Sequence, residues 1–106
     1  MVHHIVLFKL KPEVKPEKLE ELMMQTRMSL LKIPEVLSVK CGKRIDVENN
    51  EWPFFIALDF ESMDKLALYR DDPIHMKYVA DIIKPFTSER LALDYEMEPG
   101  KDVKFS

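Results

Sequence analysis

A chain of 106 residues with 46% apolar residues, only two glycines and a net charge of −3 is one folded domain, which excludes disordered and collagen-like architectures. Its acids and lysines are interspersed, so the basic footprint of a nucleic-acid binder is missing. Cys41 is the single cysteine, which excludes an intrachain disulfide and points to a reducing cytoplasm.

The first segment, His3 to Leu10, is rich in β-branched and aromatic residues and stops at Lys11-Pro12, as a strand does. Met1 to Val6 has neither a basic leader nor a long apolar run, so neither a signal peptide nor a membrane span is expected. Both faces of this strand are apolar: His4, Val6, Phe8 and Leu10 on one, His3, Ile5 and Leu7 on the other. Such a strand is covered on both sides. Pro16 to Ile33 has helical spacing, with Leu19, Leu22, Met23, Thr26, Leu30 and Ile33 on one stripe, and Pro34 ends it.

Val36 to Ile45 and Phe54 to Glu61 read as an antiparallel pair joined by the polar loop Asp46–Pro53. Cys41 alternates with Leu37 and Val39 and reads as a small buried hydrophobe. Ser62 caps a helix that runs to Asp71-Asp72, and Pro73 restarts a helix that Pro85 closes. Glu89 to Glu96 is the fourth strand.

The order β-α-β-β-α-β predicts an α+β, ferredoxin-like sandwich, with one domain over residues 1–97 and a polar tail over 98–106. Helices on one face leave the other bare. The bare face is expected to carry His4, Val6, Phe8, Phe54, Ile56 and Leu58, and to pair with a second copy as a homodimer. These six residues are also the expected pocket lining.

The chemistry-bearing residues are few. Tyr69 and His75 flank Asp71-Asp72-Pro73, His4 opens the first strand and Asp94 lies in the last. A phenol, imidazoles and a carboxylate are what proton transfer requires; each also has a bland reading as a core or capping group. His3 and His4 point to opposite faces, and one cysteine with three histidines gives no zinc spacing, so neither metal nor cofactor is expected. Trp52 in the long loop reads as a dimer staple, and Glu51, Asp71 and Asp72 as solvated carboxylates.

The opening His4-Ile5-Val6-Leu7-Phe8-Lys9, then Phe60-Glu61-Ser62, Tyr69, Asp72-Pro73-Ile74-His75 and the closing Leu93-Asp94-Tyr95-Glu96 resemble the stress-responsive dimeric α+β barrel (Dabb) family from about His3 to Glu96. The resemblance implies a homodimer with a barrel-like core. A plant polyketide cyclase of that family closes a linear polyketide by aldol condensation. Its tyrosine, catalytic histidine, histidine-orienting aspartate and first-strand histidine match Tyr69, His75, Asp94 and His4. Two positions depart: Phe54 stands where the cyclase has a further cavity histidine, and Asp72 where the family often has histidine.

The resemblance thus implies a small apolar pocket for a hydrophobic or carbonyl-containing ligand. In a cyclase-like lyase, His75 is the base, Asp94 accepts from its other ring nitrogen, and Tyr69 polarises a carbonyl. A non-catalytic stress-associated protein is the alternative that Phe54 suggests, and a heme- or oxygen-dependent monooxygenase is a third, since related dimeric barrels include such enzymes.

Overall fold

The computed structural model of the chain describes residues 1–46, 48 and 51–101. Four strands, β1 (Val2–Leu10), β2 (Ser38–Lys43), β3 (Phe54–Phe60) and β4 (Thr87–Glu96), form one sheet in the order β2-β3-β1-β4, with every neighbouring pair antiparallel. Three helices, α1 (Lys18–Leu30), α2 (Met63–Asp71) and α3 (Pro73–Tyr78), cover one face. This is the ferredoxin-like α+β sandwich. It is a slab of 42 × 40 × 20 Å, the thickness of one sheet and one helix layer.

Local chemistry sets the boundaries. Pro16 and Glu17 form a turn before α1, which starts at Lys18. After Leu30 the chain tightens into i→i+3 bonds, Lys32 N–H to the Ser29 carbonyl and Ile33 N–H to the Leu30 carbonyl, the common way to use up orphan carbonyls ahead of a proline. Ser62 caps α2 by accepting from the Lys65 N–H. Asp72, pushed to extended backbone by Pro73, ends α2 and caps α3 by accepting from the Ile74 N–H at 2.8 Å. The expected tail, 98–106, contains a short 3₁₀ turn at Pro99–Lys101; residues 102–106, like 47, 49 and 50 of the long loop, lie outside the described residues.

The faces of the sheet are the reverse of the expectation. Val2, His4, Val6 and Phe8 pair with Phe60, Leu58, Ile56 and Phe54, and all eight are buried against the helices, with Leu22, Leu30 and Leu66 fully enclosed. The bare face carries the opposite parity: Ile5, Leu7, Phe55 and Ala57, continued across β4 by Leu91, Leu93 and Tyr95. Those last three are 40%, 36% and 52% exposed, so this is the apolar surface that the described residues leave uncovered. The physical reason is simple. When both faces of a strand are apolar, alternation shows that there are two faces but not which one meets the helices.

α1 is tied to α3 by a buried polar pair. Thr26 donates its hydroxyl proton to the Leu22 carbonyl at 2.7 Å, so at 2.6 Å it can only accept from the Tyr78 hydroxyl. Burial raises the Tyr78 phenol well above its ordinary ionisation range, against the opposing effect of the Thr26 bond, which keeps the donor in place. Replacing Thr26→Val should cost about 1–3 kcal/mol by stranding the Tyr78 hydroxyl, and Thr26→Val with Tyr78→Phe should cost less than the two single changes added. Urea unfolding at one fixed protein concentration measures this; strictly additive losses would mean that the pair does not act as a unit.

Candidate functional site

Between the sheet and the α2–α3 layer lies a cleft of about 560 Å³. β1 gives its floor His4, Val6 and Phe8, and β3 adds Ile56 and Leu58. α2 contributes Tyr69 and Arg70, and α3 contributes His75, Met76 and Tyr78. The far wall is a π-helical segment, Val79–Ile83, closed by the wide bond from the Lys84 N–H to the Val79 carbonyl at 2.9 Å. Such a widened turn re-aims the side chains that follow it and is frequent at functional sites; here it turns Val79, Ala80, Ile83 and Lys84 toward the cleft. Phe54, expected in the lining, is instead fully buried and stacked on Phe8 at 5.5 Å.

Tyr69 is the centre of the polar cluster. Its ring is 4.3 Å from that of His75, 6.3 Å from that of His4 and 5.0 Å from that of Phe60. The residue is only 4% exposed, yet its hydroxyl hydrogen-bonds to no described residue. Burial raises its ionisation well above the ordinary phenol range, only partly offset by the Arg70 and Arg90 charges. Tyr69 is therefore a protonated donor at neutral pH.

The two histidines are each held at one nitrogen. His75 Nδ1–H donates to the Arg70 carbonyl at 3.1 Å, because a carbonyl can only accept; this leaves Nε2 as the basic nitrogen. Burial lowers the His75 pKa from its ordinary 6.5, the Arg70 carbonyl bond opposes this, and the charges of His4, Arg90 and Arg70 reinforce it. His4 Nδ1 lies 2.5 Å from Asp94 Oδ1, and Asp94 Oδ2 accepts from Arg70 at 3.4 Å.

Tyr69, His75 and His4 are thus brought together, and Asp94 joins them through His4. The expected contact between His75 and Asp94 is not made. The β1–β4 register places His4 directly opposite Asp94, so the two side chains share one face at cross-strand distance. His75 starts a different element and finds a backbone carbonyl instead.

Sequence reasoning missed the cations Arg70, Lys84 and Arg90 at this cleft. Arg70 was visible as the neighbour of Tyr69, whereas Lys84 depends on the π turn, which no spacing announced. The other side chains singled out have local work. Asp72 is a cap, Glu51 pairs with Lys9, and the Lys9 ammonium sits 4.8 Å over the Trp52 ring. Cys41 is a half-buried thiol pointing at the Met23 carbonyl, with its pKa raised by burial despite the Arg27 charge. Among the described residues no group of three His, Cys, Asp or Glu side chains is arranged to hold a metal ion, and no helix is long and apolar enough to cross a membrane.

Residues 2–97 match the stress responsive A/B barrel domain, Dabb. The chain belongs to this family. It is 28% identical over 97 residues to the olivetolic acid cyclase of Cannabis sativa, covering 89% of this chain and 94% of that one. Among solved structures, a dimeric ferredoxin-like protein of unknown function from Thermobifida fusca superposes with a TM-score of 0.79 at 25% identity, over 91% of this chain and 90% of that one. An Arabidopsis thaliana protein superposes with a TM-score of 0.79 at 27% identity, over 99% of this chain and all of the other, 100%. On this A/B barrel frame, the cleft is built by β1, β3, α2, α3, the π-helical segment and the first residues of β4, Thr87 to Arg90.

The His75 environment makes a direct prediction. Because burial disfavours its charged form, His75 should titrate below 6.5 and stay in the Nδ1–H tautomer at neutral pH. Imidazole ¹⁵N chemical shifts followed against pH test both points; a midpoint above 6.5, or an Nε2–H tautomer, would contradict this geometry.

Proposed function

We propose that this A/B barrel protein is a homodimer whose cleft binds a small carbonyl compound and moves a proton on it. One observation carries the reading: Tyr69, its ring buried and its hydroxyl bonded to no described residue, lines the cleft beside two imidazoles, each already engaged at Nδ1. A carbonyl oxygen is the natural acceptor for Tyr69. A carbon acid α to that carbonyl then lies near the basic His75 Nε2.

The step is a simple enolisation. His75 Nε2 takes the α-proton, the C–H electron pair becomes the enolate C=C bond, and negative charge collects on the oxygen that Tyr69 holds. The proton is returned from the imidazolium to carbon. His75 suits the role because its lowered pKa keeps it neutral, hence basic, at pH 7. Tyr69 supplies the preorganised donor. His4, oriented by Asp94, meets the Tyr69 ring edge-on at 6.3 Å and is a positioning residue. Aldol ring closure, which the cyclase resemblance implies, begins with this same enolisation.

The homodimer follows from the bare face. Ile5, Leu7, Phe55, Leu91 and Leu93 make a contiguous apolar sheet surface, and two such sheets packed face to face, about 10 Å apart, bury it symmetrically. The dimeric Thermobifida relative supports this assembly. The unpaired thiol of Cys41 suits the reducing cytoplasm. A second reading, binding without chemistry, is favoured by the open β4 wall, where Arg90 and Asp94 on the helix side are exposed and water has access.

Hydrogen–deuterium exchange at the α-carbon of a 1,3-dicarbonyl probe, followed by NMR, tests the chemistry. We expect His75→Ala to slow protein-catalysed exchange by roughly 10²–10⁴-fold and Tyr69→Phe by about 10²-fold or more. An acid limb midpoint below 6.5 is expected, since protonating His75 removes the base. Probe binding with unchanged exchange in both variants would establish the non-catalytic reading. For the assembly, Leu93→Lys should convert the dimer to monomer in sedimentation velocity; a wild-type protein that sediments as a monomer would rule the sheet-to-sheet dimer out.

A further inference from the structure

The charges around the cleft are one-sided. Its lining contains three permanent cations, Arg70, Lys84 and Arg90, and one carboxylate, Glu89. Glu89 is engaged by Lys9 at 3.0 Å, and Arg70 by Asp94 at 3.4 Å. Lys84 and Arg90 make no ion pair with any described residue. Below this rim, the floor is Val6, Phe8, Ile56 and Leu58, faced by Ile83. Two cations without counter-charges above an apolar floor form an amphipathic receptor.

We propose that the ligand of this cleft is an amphipathic organic anion, with an anionic oxygen head group met by Arg90 and Lys84 and an apolar body lying along Val6, Phe8 and Ile83. This rests on the reading of the cleft as a ligand site and adds the class of ligand it selects. Arg90 is the fork-shaped donor for a carboxylate or phosphate, and Lys84 the point charge. Both Arg70 and Arg90 act on Tyr69 and His75 electrostatically, so the head group lies on the same side of the cleft as the polar cluster. The apolar body then lies along the β1 floor, with Ile83 against it. The volume of about 560 Å³ suits a molecule of small-ligand size.

Isothermal titration of the intact protein with octanoate, octyl phosphate and 1-octanol tests this. The tail is common to all three, so the head group is the variable. We expect at least one of the two anions to bind about tenfold or more tighter than the alcohol, roughly 1.4 kcal/mol, and to weaken as sodium chloride rises. Whichever anion binds tighter identifies the head group as carboxylate or phosphate. Arg90→Gln with Lys84→Gln, both exposed positions, should reduce binding of that anion to the level of the alcohol while leaving alcohol binding unchanged. Equal binding of the alcohol and the anions would overturn the proposal and leave the cleft intact as a ligand site, as would an undiminished anion affinity in the double variant. Failure of all three probes to bind would overturn both.

Discussion

The central strand β1 is apolar on both sides, and most of the architecture follows from how those sides are covered. Its even-numbered side chains are sealed by the helix layer, with Val2, His4, Val6 and Phe8 all buried. Its odd-numbered side chains lie on a sheet surface that no described part of the chain covers. The same alternation that seats His4 inside therefore leaves Ile5 and Leu7 outside, and a one-residue slip in register would exchange the two. A histidine in the core and an apolar patch on the surface are two consequences of one strand.

Placing His4 inside also determines the polar cluster. Its cross-strand partner is Asp94, whose second oxygen reaches Arg70 on α2, so a chain of hydrogen bonds connects β1, β4 and the helix that carries Tyr69. Asp72 breaks the second helical run into α2 and α3, which lets His75 turn back to the Arg70 carbonyl and lie against Tyr69. The π segment then opens the wall of the cleft. Each device is local, and together they put a protonated phenol and a neutral imidazole beside an apolar floor. That pairing is suited to holding a carbonyl and taking a proton from the carbon beside it.

Much of the fold was legible in the sequence because strand composition, helical spacing and the prolines at 34, 73 and 85 point the same way. The order of elements and the ferredoxin-like sandwich came from these signals. The identity of the covered face did not, since β1 and β3 are apolar on both sides. The discriminating signal was in β4, where Leu91, Leu93 and Tyr95 alternate with Arg90, Ala92 and Asp94, and strand pairing puts that apolar set with Ile5 and Leu7. At the cleft, Tyr69, His75 and His4 were identified as residues of interest, whereas the partner of Asp94 depends on strand register and the position of Lys84 on a π turn. Neither leaves a mark in composition or periodicity.

The most direct test of the account is a crystal structure of the protein soaked with a 1,3-dicarbonyl compound. The account predicts two molecules joined through the Leu91–Leu93 face, with a ligand oxygen within hydrogen-bond distance, about 3 Å, of the Tyr69 hydroxyl and its α-carbon toward His75. A cleft closed by its own side chains, or a ligand bound away from Tyr69 with that hydroxyl turned to a protein group, would contradict it.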